Sequence, residues 1–341
     1  MVYDVTIGIP VYKSVDCITR SLESALAQTY PSIEFLVVDD AGCDGSIDVV
    51  ETMRRIHPRG KDIYVITHQK NLGVSTSRNQ IIDEAHGKYL YFMDSDDIIS
   101  VNTIELLMQN AQQYDAEIVF GSYEKIEISG MKTLFQYPTL QLLEKDELAT
   151  FAYRKYAGIQ ASACNFLVKI SLLRDNHHRF IDTNYWEDFV FTLDLVTLVS
   201  RAVLLPDITY TYMCRENSLS NYQNRERISK DEIMRNVHAL DHLKHTSSVL
   251  CDKPYYSSRC YYIVLTDFYI VCYILKQRHK IVPYISDSEI RRIISHPASF
   301  SQILHSRKCL LPNIVLYLLS KLPPYLTILS IRLISIIRRL L

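Results

Sequence analysis

Five short runs rich in β-branched and aromatic residues, at 5–9, 33–38, 63–67, 89–93 and 117–120, are separated by segments whose apolar residues fall at helical spacing. Period-two and fully apolar runs of this length predict buried strands. Between the first two, Ile18, Leu22, Ala25 and Leu26 share one apolar helix face, with Ser14 or Asp16 available as its N-cap. A second helix is predicted from Ser46, carrying Ile47, Val50 and Ile56, and a third from about Ser75 to Ala85. Strand and helix alternating at this spacing imply right-handed βαβ units on a mostly parallel sheet, an α/β fold. Sheets of this kind bind ligands at the carboxyl ends of their strands, so the residues just past each strand are the first candidates for chemistry.

Polar groups gather there. Strand one is followed by Pro10-Val11-Tyr12, strand two by Asp39-Asp40 with Gly42 and Gly45, and strand four by Asp94-Ser95-Asp96-Asp97. Three carboxylates within four residues suit a hard cation such as Mg2+ or Mn2+, which takes one or two carboxylates plus substrate phosphates. Equally, one Asp can cap a helix starting near Ser100 while the others are solvated. The Asp39-Asp40 pair can accept a hydrogen bond from a planar N–H donor such as a uracil imide, with Ser46 capping the next helix, or can simply form a turn. Asn71-Leu72-Gly73 is a turn leading to Arg78-Asn79; Arg78 can reach a diphosphate, order the acidic loop, or pair at the surface with Asp83 or Glu84. Much later, Glu187-Asp188 stands between Tyr185-Trp186 and Phe189, ahead of an apolar helix-like stretch to Val199. A carboxylate against apolar surface is pushed toward a useful proton acceptor, although an acidic pair at a helix start also satisfies the helix dipole.

In this order and spacing the pieces resemble the inverting glycosyltransferases of family 2, which have the GT-A fold. The resemblance covers about residues 3–215 and rests on Ile9-Pro10-Val11-Tyr12, Leu26-Ala27-Gln28-Thr29-Tyr30, Val38-Asp39-Asp40-Ala41-Gly42, Asn71-Leu72-Gly73 with Arg78-Asn79, Asp94-Ser95-Asp96, and Glu187-Asp188 with Phe191. It departs from the family at Lys13, where Asn is usual, and at 41–46, where a Gly-Ser-Thr-Asp-like turn is usual. The resemblance implies a nucleotide-sugar site with Pro10 and Tyr12 at the base, Asp40 contacting uracil, and Arg78 near the diphosphate. It further implies Asp94 at the ribose or a metal, Asp96 on a Mn2+ or Mg2+ bridging the diphosphate, Asp188 as general base and Glu187 orienting it. Arg215, in a Tyr212–Ser218 segment resembling the loop after the last catalytic strand, becomes a phosphate contact. The expected reaction moves a sugar from a UDP-activated donor, with inversion, to an acceptor hydroxyl on a surface polysaccharide or lipid-linked glycan.

Two rival readings of the acidic loop are weaker. A phosphatase of the haloacid dehalogenase type would use Asp94 as nucleophile but expects the motif on the first strand, and it leaves Glu187-Asp188 idle. A non-catalytic nucleotide-sugar binder would require a damaged metal motif or base. No GxGxxG follows strand one, which disfavours a dinucleotide dehydrogenase.

Charge divides the chain of 341 residues unevenly. Residues 1–100 hold 9 Lys/Arg against 15 Asp/Glu, whereas 301–341 hold 6 Lys/Arg and no acid, so the folded body lacks the basic stripe that nucleic acid would need. The expected organisation is a catalytic domain over 1–219, with a donor half (1–100) and an acceptor half (101–219), a helical extension over 220–300, and a basic, apolar tail over 301–341. In that tail Leu329, Leu333, Ile336, Ile337 and Leu340 line one helix face while Arg332, Arg338 and Arg339 lie elsewhere, as expected of a helix lying in an anionic membrane surface through 322–341. The alternative is a helix docked on its own protein or on a second copy in a homo-oligomer. Eight scattered cysteines without metal spacing read as reduced core thiols, and an N-terminus with no basic-then-apolar leader is expected of a cytoplasmic protein, here peripheral at the inner face of the plasma membrane.

Overall fold

The computed structural model describes residues 3–153, 158–183, 186–215, 226–304 and 309–337. The chain forms two compact units, one of Met1–Leu148, Ala161–Asp182 and Glu187–Asn221, the other of Ala149–Gln160, Thr183–Trp186 and Tyr222–Leu341. In the first unit β1 (Tyr3–Val11), α1 (Ile18–Leu26), β2 (Ile33–Asp39), α2 (Ser46–Ile56), β3 (Ile63–Thr67), α3 (Val74–Glu84) and β4 (Gly87–Phe92) follow the expected alternation. The four strands lie parallel in the order β3-β2-β1-β4, with β1 and β2 in register from Val5↔Ile33 to Val11↔Asp39. Ile7, Ile9, Phe35, Val37, Leu90 and Tyr91 are fully buried, so both sheet faces are covered. At Gly8 an added Cβ would lie 2.4 Å from the Ile81 side chain, which sets how closely α3 approaches β1.

Beyond β4 the alternation gives way to β5 (Ile98–Ile99), α4 (Thr103–Gln113), β6 (Ile118–Ile126), β7 (Lys132–Phe135), β8 (Leu140–Leu142), α5 (Glu147–Ala152), β9 (Phe166–Lys169), α6 (Ile170–Asp175), α7 (Glu187–Leu198) and β10 (Ala202–Met213). β9 runs antiparallel between β4 and β6, and β10 pairs parallel with β6. Three capping expectations are corrected. Neither Ser14 nor Asp16 caps α1, whose N-cap is Cys17 with no side-chain bond. Gly45 at φ 90° precedes α2, and Ser46 is the first helical residue, bonded through its N–H (3.1 Å) and hydroxyl (2.6 Å) to Asp44 Oδ1. No Asp of the acidic loop caps α4, which begins at Thr103 after Asn102.

In the second unit α8 (Lys230–Thr246), α9 (Tyr256–Gln277), α10 (Asp287–Ile293), α11 (Phe300–Leu304), α12 (Leu310–Leu319) and α13 (Pro324–Ile337) surround one another, with a short parallel pair β11 (Ile228–Ser229) and β12 (Ile281–Val282). Tyr256–Lys280 is long and apolar enough to cross a bilayer, but 72% of its apolar window is buried, which makes α9 the core helix of this unit. Arg259 on α9 is fully buried and donates to Tyr153 Oη (2.6 Å), Ser247 Oγ (2.9 Å) and Thr246 Oγ1 (2.9 Å). Asp267 lies 2.7 Å from Lys244, and burial pushes its carboxyl up to about 7. All eight cysteines are free, but the core-thiol expectation holds for only four: Cys43, Cys251 and Cys309 are exposed and Cys214 is half-buried. Arg338, Arg339 and Leu340 lie outside the described residues.

Candidate active site

Loops after β1, β2 and β4 meet at the carboxyl edge of the sheet because small hydroxyl groups bind them to one another. Ser14 donates its N–H to Ser46 Oγ (2.9 Å) and shares a 2.6 Å hydrogen bond with Ser95 Oγ, while Asp44 Oδ2 accepts the Val15 N–H (3.0 Å). A Cβ at Gly42 would stand 2.7 Å from the Lys13 backbone nitrogen, so the loop after β2 can lie against the loop after β1 only with glycine there. Pro10, the last residue but one of β1, pairs in register with Val38, and Tyr12 beyond it is exposed, with Lys13 Nζ 5.3 Å from its ring centre.

The acidic loop divides its three carboxylates by task. Asp97 is buried and structural: it accepts from Tyr210 Oη (2.6 Å) and the Met213 N–H (2.8 Å), fixing the loop to β10. Burial, with Asp94 and Asp96 beside it, holds Asp97 well above the usual carboxylate range. Asp94 and Asp96 remain partly open, one meeting Arg78 Nη2 at 2.9 Å and the other Arg215 Nε at 2.7 Å. Burial and the neighbouring Asp94 raise Asp96, against the pull of Arg215. Among the described residues no group of three or more His, Cys, Asp or Glu side chains could hold a metal by itself. Two hard oxygen donors on one loop nevertheless fit a divalent cation that completes its shell from a bound diphosphate.

Arg78 on α3 joins this loop to α7. Its guanidinium is buried, and besides Asp94 it meets Asp188 Oδ1 (2.5 Å) and Glu187 Oε1 (3.4 Å), both in the first turn of α7. This is the loop-ordering role, and Arg78 is not a surface partner of Asp83 or Glu84: both its terminal nitrogens rest on carboxylates of the site. Asn79, next in sequence, accepts the Phe180 N–H (2.8 Å) and donates to the Phe180 carbonyl (2.9 Å), pinning the segment that precedes Glu187. Phe180 stacks on Phe191 with centroids 3.8 Å apart, and Arg78 lies 5.4 Å from the Phe180 ring centre. Burial, with Asp188 alongside, pushes Glu187 up to about 7, Arg78 opposing. Asp188 is likewise raised, by burial first, while Arg78 and the Ala163 N–H pull it down. Trp186 precedes this pair, and Tyr185 lies outside the described residues.

Asp40 is corrected. Its carboxylate is buried and already accepts the N–H groups of Leu72 (2.7 Å) and Gly73 (2.8 Å) and a 2.8 Å bond with His68 Nδ1, so it anchors the Asn71-Leu72-Gly73 turn rather than facing a base. Arg215 is drawn onto Asp96, and the rest of its segment, 216–218, lies outside the described residues. Sequence reasoning missed His68, Asn79 as a clamp, the Ser14–Ser95 link, and Tyr210 with Asp97. Only the third Asp of the acidic run hinted at any of these.

A mostly parallel sheet with β9 antiparallel inside it and the short strands β5, β7 and β8 antiparallel at its margins, with an acidic loop and a carboxylate pair joined at its carboxyl edge, defines a glycosyltransferase of the GT-A fold. Residues 6–174 match the model of glycosyl transferase family 2, and through this domain the chain belongs to that family. A curated relative, the succinoglycan biosynthesis protein ExoO of Rhizobium meliloti, is 27% identical over 250 residues, 70% of either chain. The fold is shared with S. aureus TarS 1–349 in complex with UDP-GlcNAc (TM-score 0.66, 18% identity, 93% of this chain and 90% of that one). It is shared too with the mannosyltransferase PcManGT of Pyrobaculum calidifontis in complex with GDP-Man and Mn2+ (TM-score 0.54, 16% identity, 96% and 83%). Family membership removes the phosphatase reading.

Proposed function

We propose that this glycosyltransferase moves a sugar from a UDP-activated donor to an acceptor hydroxyl of a surface polysaccharide or lipid-linked glycan, inverting the anomeric carbon. The observation that carries the reading is Arg78, one buried guanidinium shared by Asp94 of the acidic loop and by Glu187 and Asp188 of α7. It ties the groups suited to a leaving diphosphate to the groups suited to an attacking hydroxyl. Asp188, the more open of the α7 pair, takes the acceptor proton as the hydroxyl attacks in line; Glu187 and Arg78 hold its carboxylate in place. Asp94 and Asp96 would hold Mn2+ or Mg2+, which neutralises charge developing on the departing diphosphate. Tyr12 and Pro10 line the base side and Arg215 a phosphate. In this reading 1–219 is the catalytic domain, with donor contacts in 1–100 and acceptor contacts in 101–219.

A UDP donor is supported by the UDP-GlcNAc complex of S. aureus TarS, and a polysaccharide acceptor by the name of the Rhizobium meliloti relative. The test is a thermal-shift panel of UDP, GDP, CDP and dTDP, each with and without Mn2+. A Mn2+-dependent shift with UDP is expected. A larger shift with another base overturns the donor, and equal shifts with and without Mn2+ overturn the metal.

A further inference from the structure

The α12–α13 hairpin carries two apolar faces where a packed helix pair needs one. Its inner face rests on α9: Asn313 of α12 donates to Ser257 Oγ (3.3 Å), and Ser335 of α13 lies 3.1 Å from Cys272 Sγ. Leu316, Leu319, Ile328 and Ile331 are buried with them. The face turned away from α9 ought to be polar, yet it presents Leu311, Val315 and Leu318 on α12 and Leu329, Leu333 and Ile336 on α13, at helical spacing on each. These are open positions, 75% exposed at Leu311, 60% at Leu333 and 65% at Ile336. Scattered exposed leucines need no explanation, but two adjoining helices with continuous apolar outer stripes do.

We infer that this outer face docks on an anionic lipid surface. Charge selects that occupant. The hairpin's own charged side chains within the described residues are Lys321 and Arg332, both exposed, and Arg291 of α10 reaches the Leu322 carbonyl at the turn (2.9 Å). Residues 301–341 contain six Lys/Arg and no Asp or Glu. Acids on the supporting helices are spent elsewhere: Asp287 on Arg278, Glu289 on Lys230 and Asp267 on Lys244. A second copy seated on this face would bring like charges together with no acid to offset them, whereas anionic headgroups supply the missing charge while the leucines enter the acyl boundary. The docking face is thus a hairpin that includes α12, wider than the single terminal helix read from the sequence.

The test is co-sedimentation of the full chain with phosphatidylcholine vesicles and with vesicles containing phosphatidylglycerol, at low and high salt, beside light scattering of the free protein. Binding to the anionic vesicles alone, weakened by salt, is expected. Leu329→Ser/Leu333→Ser/Ile336→Ser should abolish it, and Lys321→Gln/Arg332→Gln should weaken it roughly tenfold or more. The charge variant changes only exposed groups, so it keeps the claim falsifiable if the leucine variant unfolds. UDP binding should be unchanged in both, which separates this claim from the donor reading. Failure to bind anionic vesicles, binding indifferent to both variants, or a dimer that the leucine variant dissolves would each overturn the inference, the last in favour of a second copy.

Discussion

Replacing Glu187 with Gln removes a charge that the folded protein tolerates poorly. Oε2 is buried and meets no hydrogen-bond donor among the described residues, Asp188 is adjacent in sequence, and Arg78 reaches only Oε1, at 3.4 Å. The carboxyl therefore titrates near 7 instead of 4.5, burial being the largest cause. For an acid raised in this way the sign runs against high pH. Below 4.5 folded and unfolded chains both carry the proton; between 4.5 and 7 the unfolded chain releases it first; above 7 the folded state holds an ionised group it disfavours. At about 1.4 kcal/mol per pH unit, the burden is ~3 kcal/mol at pH 8 and under ~1 kcal/mol at pH 5. Gln can still accept from Arg78 but carries no charge. Urea unfolding should thus show Glu187→Gln more stable than the parent by up to ~3 kcal/mol at pH 8, with most of that gain gone at pH 5, while transfer activity falls. Equal gains at both pH values, or a loss at pH 8, would refute the reasoning.

Asp188→Asn should lower turnover by roughly 10²–10⁴-fold with UDP affinity nearly unchanged in calorimetry; equal losses of both would make Asp188 a structural group. Asp96→Ala should abolish transfer and the Mn2+-dependent part of UDP binding, and full activity of the parent in EDTA would contradict this. Asp40→Asn should destabilise more at pH 6 than at pH 8.5, measured by urea unfolding. Burial opposes the charged His68 ring, but bonds to Asp40 and Gln80 prevail and hold it above its ordinary value, so the contribution is present at low pH and lost as pH rises through the raised value. Mn2+ with UDP should raise the melting temperature more at pH 8 than at pH 5.5, since protons at the lower pH already neutralise part of the acidic cluster; the reverse order would count against a cation there.

What the sequence made legible was local. β1 to β4 and the helices between them have clean periods because each is buried on a face that its own residues declare, and the loops behind Pro10, Asp39 and Phe92 follow from the strand ends. β9 left no such trace: Phe166–Lys169 is a four-residue strand with three apolar residues, too short to tell from the start of α6 that follows it. Asp40 was misplaced for a related reason. Asp39 ends β2 and Asp40 directly follows it, and only the arrival of Leu72 and Gly73, more than thirty residues later, shows that Asp40 faces inward. Arg78 meets carboxylates 16, 109 and 110 positions away, a convergence that no spacing rule encodes.

The acids of this site share one imbalance. Asp94, Asp96, Asp97, Glu187 and Asp188 face two guanidinium groups, Arg78 and Arg215, and four of the five are raised with burial as the leading cause. A network built only for stability would match its charges, because removing ionised groups from water is costly unless each is paired. Here Asp97 has both oxygens on uncharged donors, the Tyr210 hydroxyl and the Met213 N–H, and that anchors the loop. The uncompensated remainder lies on Asp94 and Asp96, where a divalent cation would sit, and on Glu187 and Asp188, where a proton would arrive from the acceptor. Negative charge in excess on both sides of Arg78 is costly at neutral pH, and under the proposed reaction it would favour two positive species, a cation arriving with the donor and a proton leaving the acceptor.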